Sequence, residues 1–209
     1  MMESTKKNDA KNIGAILLAA GQSSRLGTPK QLLSYEGTTI FQHILQTAIA
    51  SNAHPIVVVL GAHADIIEKK IDRKTAQVVV NVLWPEGMAS SIRQGIQTLL
   101  EINPFAEGAI LITCDQPYVT TSLLNDLIEA RQNTGKPIIT CSYADTFGPP
   151  TLFHKSIFPE LVQLKGDIGA RSILRHHADK VEAILFPEGK LDIDTNEDYE
   201  KLLKNNRET

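Results

Sequence analysis

The chain has 209 residues, 42% of them apolar and 22% charged, with 21 basic against 24 acidic side chains and a net charge of -3. That length can bury a hydrophobic core without staples, and the near balance of charge excludes a global field that would recruit nucleic acid or an anionic membrane. The longest apolar runs fall far below the roughly 18 residues a bilayer-spanning helix requires. The polar start MMESTKKNDAKN lacks the apolar core of a signal peptide. The expectation is therefore a cytoplasmic protein with a flexible tail at 1–12 and a single domain at 13–204.

Taken in order, the apolar runs at 13–19, 56–61, 77–82, 109–113, 137–142 and 181–186 read as strands of a buried sheet. Amphipathic segments separate them. Ile40, Phe41, Ile44, Leu45, Ala48 and Ile49 share one face at helical spacing. Met88, Ile92, Ile96, Leu99 and Leu100 share a second, and Leu123, Leu124, Leu127 and Ile128 a third. Such alternation predicts an α/β domain of three layers, a mainly parallel mixed sheet with helices on both faces. Gly148-Pro149-Pro150 reads as a turn from which an inserted or antiparallel portion starts. Cys114 and Cys141 lie in apolar runs without CxxC spacing and read as reduced packing residues. In sheets of this kind ligands bind beyond the carboxyl ends of the strands, so the loops that follow strands carry the chemistry.

The first such loop is LAAGQSSRLGTPK, residues 18–30. Gly21 admits a ligand close to the backbone, Ser23 offers a hydroxyl, Arg25 can fork two hydrogen bonds to phosphate, and Lys30 adds a mobile charge. A P-loop is excluded because Leu26 stands where its second glycine would be, and a dinucleotide fingerprint because Ser23 does. Spacing alone is equally compatible with a Gly/Ser turn carrying solvated bases.

Four later segments add candidates. In GMASSIRQG, residues 87–95, Ser90 and Ser91 either cap a helix or contact a ligand. Asp115, in Cys114-Asp115-Gln116-Pro117, stands where a buried strand leaves the sheet, as a turn acid or as a magnesium ligand. In LDIDTNEDY, residues 191–199, an extended backbone turns Asp192 and Asp194 to one side and Ile193 to the other, and Thr195 with Asp198 has capping-box spacing. In LKGDIGAR, residues 164–171, Asp167 can cap a helix, Gly166 and Gly169 permit close approach, and Arg171 can reach an anion. The histidines show no HExxH or Ser-His-Asp order and receive no role.

Jointly these segments resemble the nucleotidyltransferases of the molybdenum cofactor branch, MobA-like NTP transferases of the nucleotide-diphospho-sugar transferase superfamily. The matching patterns are LAAGxSxRxGxxK, GMxxSxRxG, CDQP, the segment DIDTPEDY with Asn196 in place of proline, and GxPxLF with LxGDxGAR. The resemblance implies a Rossmann-like fold in which Leu18, Ala19, Ala20 and Gly21 lie near base and sugar. Ser23, Arg25 and Lys30 would face the triphosphate, Ser90 and Ser91 would line the nucleotide pocket, and Asp115 and Asp194 would hold Mg2+. Pro150, Gly166, Asp167 and Arg171 would receive the acceptor.

LAAG in place of LAGG, together with the GDIGAR segment, resembles the cytidylyltransferase side of the branch. The implied reaction moves CMP from CTP to the terminal phosphate of molybdopterin and releases pyrophosphate, with Arg25, Lys30 and Asp115 as the catalytic set. A molybdoenzyme or its chaperone is the implied protein partner. The alternatives are GTP as donor, a sugar or polyol phosphate as acceptor, and a nucleotide-binding chaperone or regulator of cofactor insertion that binds without turnover.

Overall fold

β1, Ile13–Ala19, is apolar throughout, and its period of two sends alternate side chains to opposite faces of the sheet. The computed structural model describes residues 12–23 and 26–205, and there Ala15, Leu17 and Ala19 enter one core while Ile16 enters another. The first core packs the sheet against α1, Ile40–Ile49, and α4, Thr121–Thr134. The second packs it against α3, Met88–Ile102, α5, Phe158–Leu161, and α6, Arg171–His176. Each Leu or Ile withdrawn completely from water contributes ~1.5–3 kcal/mol, and both layers supply several. Two helical layers around one sheet are the three layers expected. The tail expected at 1–12 lies, Asn12 apart, outside the described residues.

A two-stranded hairpin, β2 at Ser34–Tyr35 and β3 at Thr38–Thr39, precedes α1, and a short α2 spans Ala64–Ile67. The large sheet adds β4, Ile56–Leu60, β5, Gln77–Val80, β6, Gly108–Thr113, β7, Ile138–Tyr143, β8, Thr146–His154, and β9, Val181–Leu185. Its order is β5-β4-β1-β6-β8-β7-β9, and β8 alone runs antiparallel to its neighbours. After β1 the chain crosses towards β4, and after β6 it crosses the other way, towards β7. A crevice therefore opens between the carboxyl ends of β1 and β6.

Two expectations need correction. Gly148-Pro149-Pro150 is not a turn: all three lie within β8, where the pairing with β7 shifts register between Thr140 and Cys141. The irregularity accommodates prolines that cannot donate to a regular ladder. In α3, Ile92, Ile96 and Leu99 are buried, but Met88 and Leu100 are exposed, so the buried face is completed by Ala89, Ser90, Ser91 and Gly95. Gly95 explains why small residues serve there. A Cβ at this position would meet Ile16 Cγ2 at 2.5 Å and Val59 Cγ2 at 3.2 Å, so the helix lies too close to β1 and β4 for a side chain.

Both cysteines are buried; burial pushes the Cys141 thiol up to about 12 and the Cys114 thiol higher still, which suits inert packing groups. The expected capping box is present at α7, Asn196–Asn205: Asp198 Oδ2 accepts from Thr195 N at 2.9 Å, and Thr195 Oγ1 accepts from Asp198 N at 3.2 Å.

Gly95→Val is expected to destabilise the fold by ~1–3 kcal/mol through overpacking, read as a lower denaturant midpoint. A midpoint no lower than that of the unsubstituted chain would contradict the close approach. The Thr195 hydroxyl, followed by backbone amides, holds the Asp198 carboxyl below its ordinary range. A lowered folded-state pKa stabilises above the unfolded value and is lost as pH falls through the folded one. Asp198→Asn should therefore lower the melting temperature at pH 7, and the difference should close as pH falls below about 4.

Candidate functional site

Beyond β1 the backbone of 19–21 is tied down from below by Gln31, which is almost fully buried. Its Nε2 donates to Ala19 O at 3.3 Å and to Gly21 O at 2.9 Å. From the next loop, Ala62 N donates to Ala20 O at 3.1 Å. Ser23 Oγ accepts from Lys30 N at 3.0 Å, which anchors the residue that carries the ammonium.

Lys30 Nζ lies 3.0 Å from Asp115 Oδ2 and 3.1 Å from Asp194 Oδ1. Three distant segments of chain thus meet at one nitrogen. Asp115 follows β6, and Ile193 N donates to Asp115 O at 3.0 Å, which fixes the 192–194 segment against it. Ile193 is buried in the core, and its neighbours Asp192 and Asp194 face the crevice side, as the alternation predicts. Burial alone would lower the Lys30 pKa, but the attraction of Asp115 and Asp194 outweighs it and the ammonium is held above its ordinary range. Desolvation, followed by repulsion from Asp115 and Asp194, raises the Asp192 pKa. The cluster therefore carries more negative charge than one lysine offsets.

On one side of Asp115 lies a cleft of about 400 Å³ bordered by Leu18, Ala20, Gly21, Lys30, Trp84 and Ser91. On the other lies a cleft of about 300 Å³ bordered by Ile92, Phe153, Pro149, Arg171, Leu174 and Asp192. Leu18, Met88, Thr113, Asp115 and Asp167 border both, so the Asp115 carboxylate stands at the partition.

Several expected residues sit differently from the sequence reading. Arg25 lies outside the described residues. Ala19 is buried beneath the loop, while Leu18, Ala20 and Gly21 reach the first cleft. Ser91 borders that cleft, whereas Ser90 donates to Gly87 O at 2.8 Å and also accepts from Asn81 Nδ2 at 2.8 Å, so it secures the start of α3. Pro150 is buried and Pro149 borders the second cleft in its place, because successive strand residues face opposite ways. Gly166 borders neither cleft: its carbonyl accepts from Ala89 N at 3.1 Å. Asp167 caps a helix other than its own, accepting from Met88 N at 3.3 Å, and it also borders both clefts.

Gln31, Asn81, Trp84 and Gln116 were missed. Gln31, Asn81 and Trp84 lie outside the motif positions, Gln116 stands within CDQP beside the acid that drew attention, and only Trp84, the chain's single tryptophan, had a compositional signal. Asn81 fixes both Ser90 and Ser91, at 2.8 and 3.0 Å. Gln116 Nε2 donates to Tyr143 OH at 3.1 Å and to Gly189 O at 2.9 Å, linking the strand-end acid to the wall of the second cleft.

Among the described residues no group of three or more His, Cys, Asp or Glu has the arrangement of a protein-only metal cage. Asp115 and Asp194, both within 3.1 Å of a common cation, fit an ion that takes one or two protein carboxylates and completes its shell with phosphate and water.

Residues 15–181 match the MobA-like NTP transferase domain. The chain is 29% identical over 203 residues to nicotine blue oxidoreductase of Paenarthrobacter nicotinovorans, covering 91% of this chain and 96% of that one. It is 30% identical over 200 residues to purine catabolism protein PucB of Bacillus subtilis, covering 88% and 93%. A probable molybdenum cofactor guanylyltransferase of Bacillus anthracis matches at 34% over 118 residues, 56% of each chain. Among solved structures, Rv0371c of Mycobacterium tuberculosis superposes with a TM-score of 0.80 at 33% identity, over 93% of this chain and 98% of that one. The same mycobacterial protein has also been solved in complex with manganese. With four-fifths of its length matched and charged strand-end loops meeting at one crevice, the chain belongs to the MobA-like NTP transferase family and is a nucleotidyltransferase.

Proposed function

We propose that this nucleotidyltransferase moves CMP from CTP to the terminal phosphate of molybdopterin in a magnesium-dependent reaction. The observation that carries this reading is the meeting of Lys30, Asp115 and Asp194 at the partition between two clefts. One cleft then holds the donor, its base and sugar against Leu18 to Gly21 and Trp84. The other holds the acceptor against Pro149 and Arg171.

An oxygen of the acceptor phosphate attacks the α-phosphorus of CTP, and the bond from that phosphorus to the oxygen bridging to the β-phosphate breaks. Pyrophosphate leaves with the bond electrons. The nucleophile is already anionic, so the site needs alignment and charge compensation more than a strong base. Lys30 supplies positive charge beside the breaking bond, and Arg25 belongs to the same phosphate-facing loop. Asp115 and Asp194 would hold the magnesium ion, which when bound neutralises triphosphate oxygens and holds them in line. Ser23 and Gln31 act one step back, by fixing the backbone from which Lys30 projects. Asp192, adjoining the acceptor side, limits how many further anions the site tolerates without a cation.

The partial match to a guanylyltransferase supports a second reading, with GTP as donor. A panel of the four nucleoside triphosphates with molybdopterin and magnesium, assayed for pyrophosphate, separates the two. CTP alone is expected to turn over; product with GTP alone would overturn the cytidine assignment. Binding should quench or shift the fluorescence of Trp84, and a nucleotide that saturates turnover without changing that signal would contradict its place in the donor cleft. Asp115→Ala should lower magnesium-dependent turnover by at least ~100-fold while the circular dichroism spectrum is kept. Undiminished turnover would remove Asp115 from the reaction.

A further inference from the structure

The acceptor cleft does not end at Arg171. Tyr143, Arg171 and Leu174, which border it, also border a further groove of about 650 Å³ between the turn joining β7 to β8 and the exposed face of α6. Arg175 borders this groove one helical turn beyond Arg171, so two exposed guanidinium groups lie on the same side of a six-residue helix. Among the residues bordering the groove, Arg171 and Arg175 stand against one acid, Asp145 at the hairpin turn, so positive charge is in excess there. Phe147 and Leu185 supply apolar surface to the same groove, with Leu185 75% exposed.

The inner cleft that this groove continues is largely apolar, bordered by Ile92, Leu111, Phe153 and Leu174, with Asp115 and Asp192 at its reacting end. From the reacting centre outward the order is therefore phosphate, an apolar body, and positive charge beside an aromatic ring. We infer that the groove bordered by Arg171, Arg175 and Phe147 is an outer anion subsite that takes the distal end of the acceptor. The acceptor class this selects is an elongated phosphate ester with a planar or apolar middle and a negative or hydrogen-bond-accepting group at its far end. Arg175 then reads acceptor length and charge, while Arg171 stands at the junction and serves both compartments. The inference rests on the phosphate-acceptor reading for the occupant, but not for the groove.

Two measurements test it. The first is fluorescence titration of the protein, saturated with CTP and magnesium, with 1-anilinonaphthalene-8-sulfonate, a planar anion, against uncharged N-phenyl-1-naphthylamine. Arg175→Ala and Phe147→Ala should each weaken binding of the sulfonate about tenfold, Arg175→Lys should retain most of it, and Arg175→Ala should leave the uncharged dye unaffected. Sulfonate binding unchanged by Arg175→Ala would overturn the subsite. The second is steady-state turnover with molybdopterin, where Arg175→Ala should raise the acceptor KM about tenfold and leave the KM for CTP unchanged. Weakened dye binding with an unchanged acceptor KM would overturn the assignment of the groove to the acceptor. If the unsubstituted protein fails to turn over molybdopterin at all, the proposed reaction falls, and the dye titration still decides the groove.

Discussion

An ammonium group held between two carboxylates is the interaction on which the site depends. Lys30 comes from the loop after β1, Asp115 from the end of β6 and Asp194 from the approach to the last helix, so one nitrogen fixes the relative position of segments 85 and 164 residues apart in the chain. Asp192 adds a third carboxylate close by, whose ionisation its neighbours oppose. Carboxylates gathered at one crevice suit a site that receives a multivalent cation together with an anionic substrate. The sheet supplies the rigidity: β1 and β6 are paired over six residues, so their ends cannot drift apart without breaking the centre of the domain.

Around that centre the loops hold one another more than they hold themselves. Gly87 has φ 103°, in the region that favours glycine, and a Cβ there would lie 2.6 Å from the Gly166 carbonyl carbon. Two loops far apart in sequence, one bordering the first cleft and the other the second, are therefore in backbone contact. Arg93 Nη1 adds a hydrogen bond to Leu164 O at 2.7 Å, and Asp167 caps the start of α3. The walls of the two clefts share this seam.

Much of the architecture was legible in the chain. Six apolar runs marked six strands of the large sheet, since a buried parallel strand needs apolar residues on both faces. β8 was obscured because its prolines and glycine read as a turn, whereas a register shift in its pairing lets them lie within a strand. Helix α3 was recognised by its period, yet its inner face was assigned partly wrongly. Large apolar residues suggested Met88 and Leu100, while the close approach of the helix to β1 selects Gly95 and buried serines. The charged motif residues stood out at strand ends, where spacing left structural and functional readings open and the family resemblance chose between them. Gln31, Asn81 and Gln116 were not, because a buried amide is identified only by the carbonyls and hydroxyls it reaches.

Taken by itself, then, the sequence determined an alternating α/β framework, the strand ends at which chemistry would gather, and the capping box that starts the final helix. Those features depend on residues near one another in the chain, whose periodicity and hydrogen-bonding capacity are local properties. Tertiary structure decided that Lys30, Asp115 and Asp194 share one point, that Pro149 and not Pro150 faces the cleft, and that Ser90 supports where Ser91 lines. It also brought Arg175 into the groove that continues the second cleft. Each of those outcomes depends on how strands pair and helices approach across the sheet, distances that no local pattern of residues encodes.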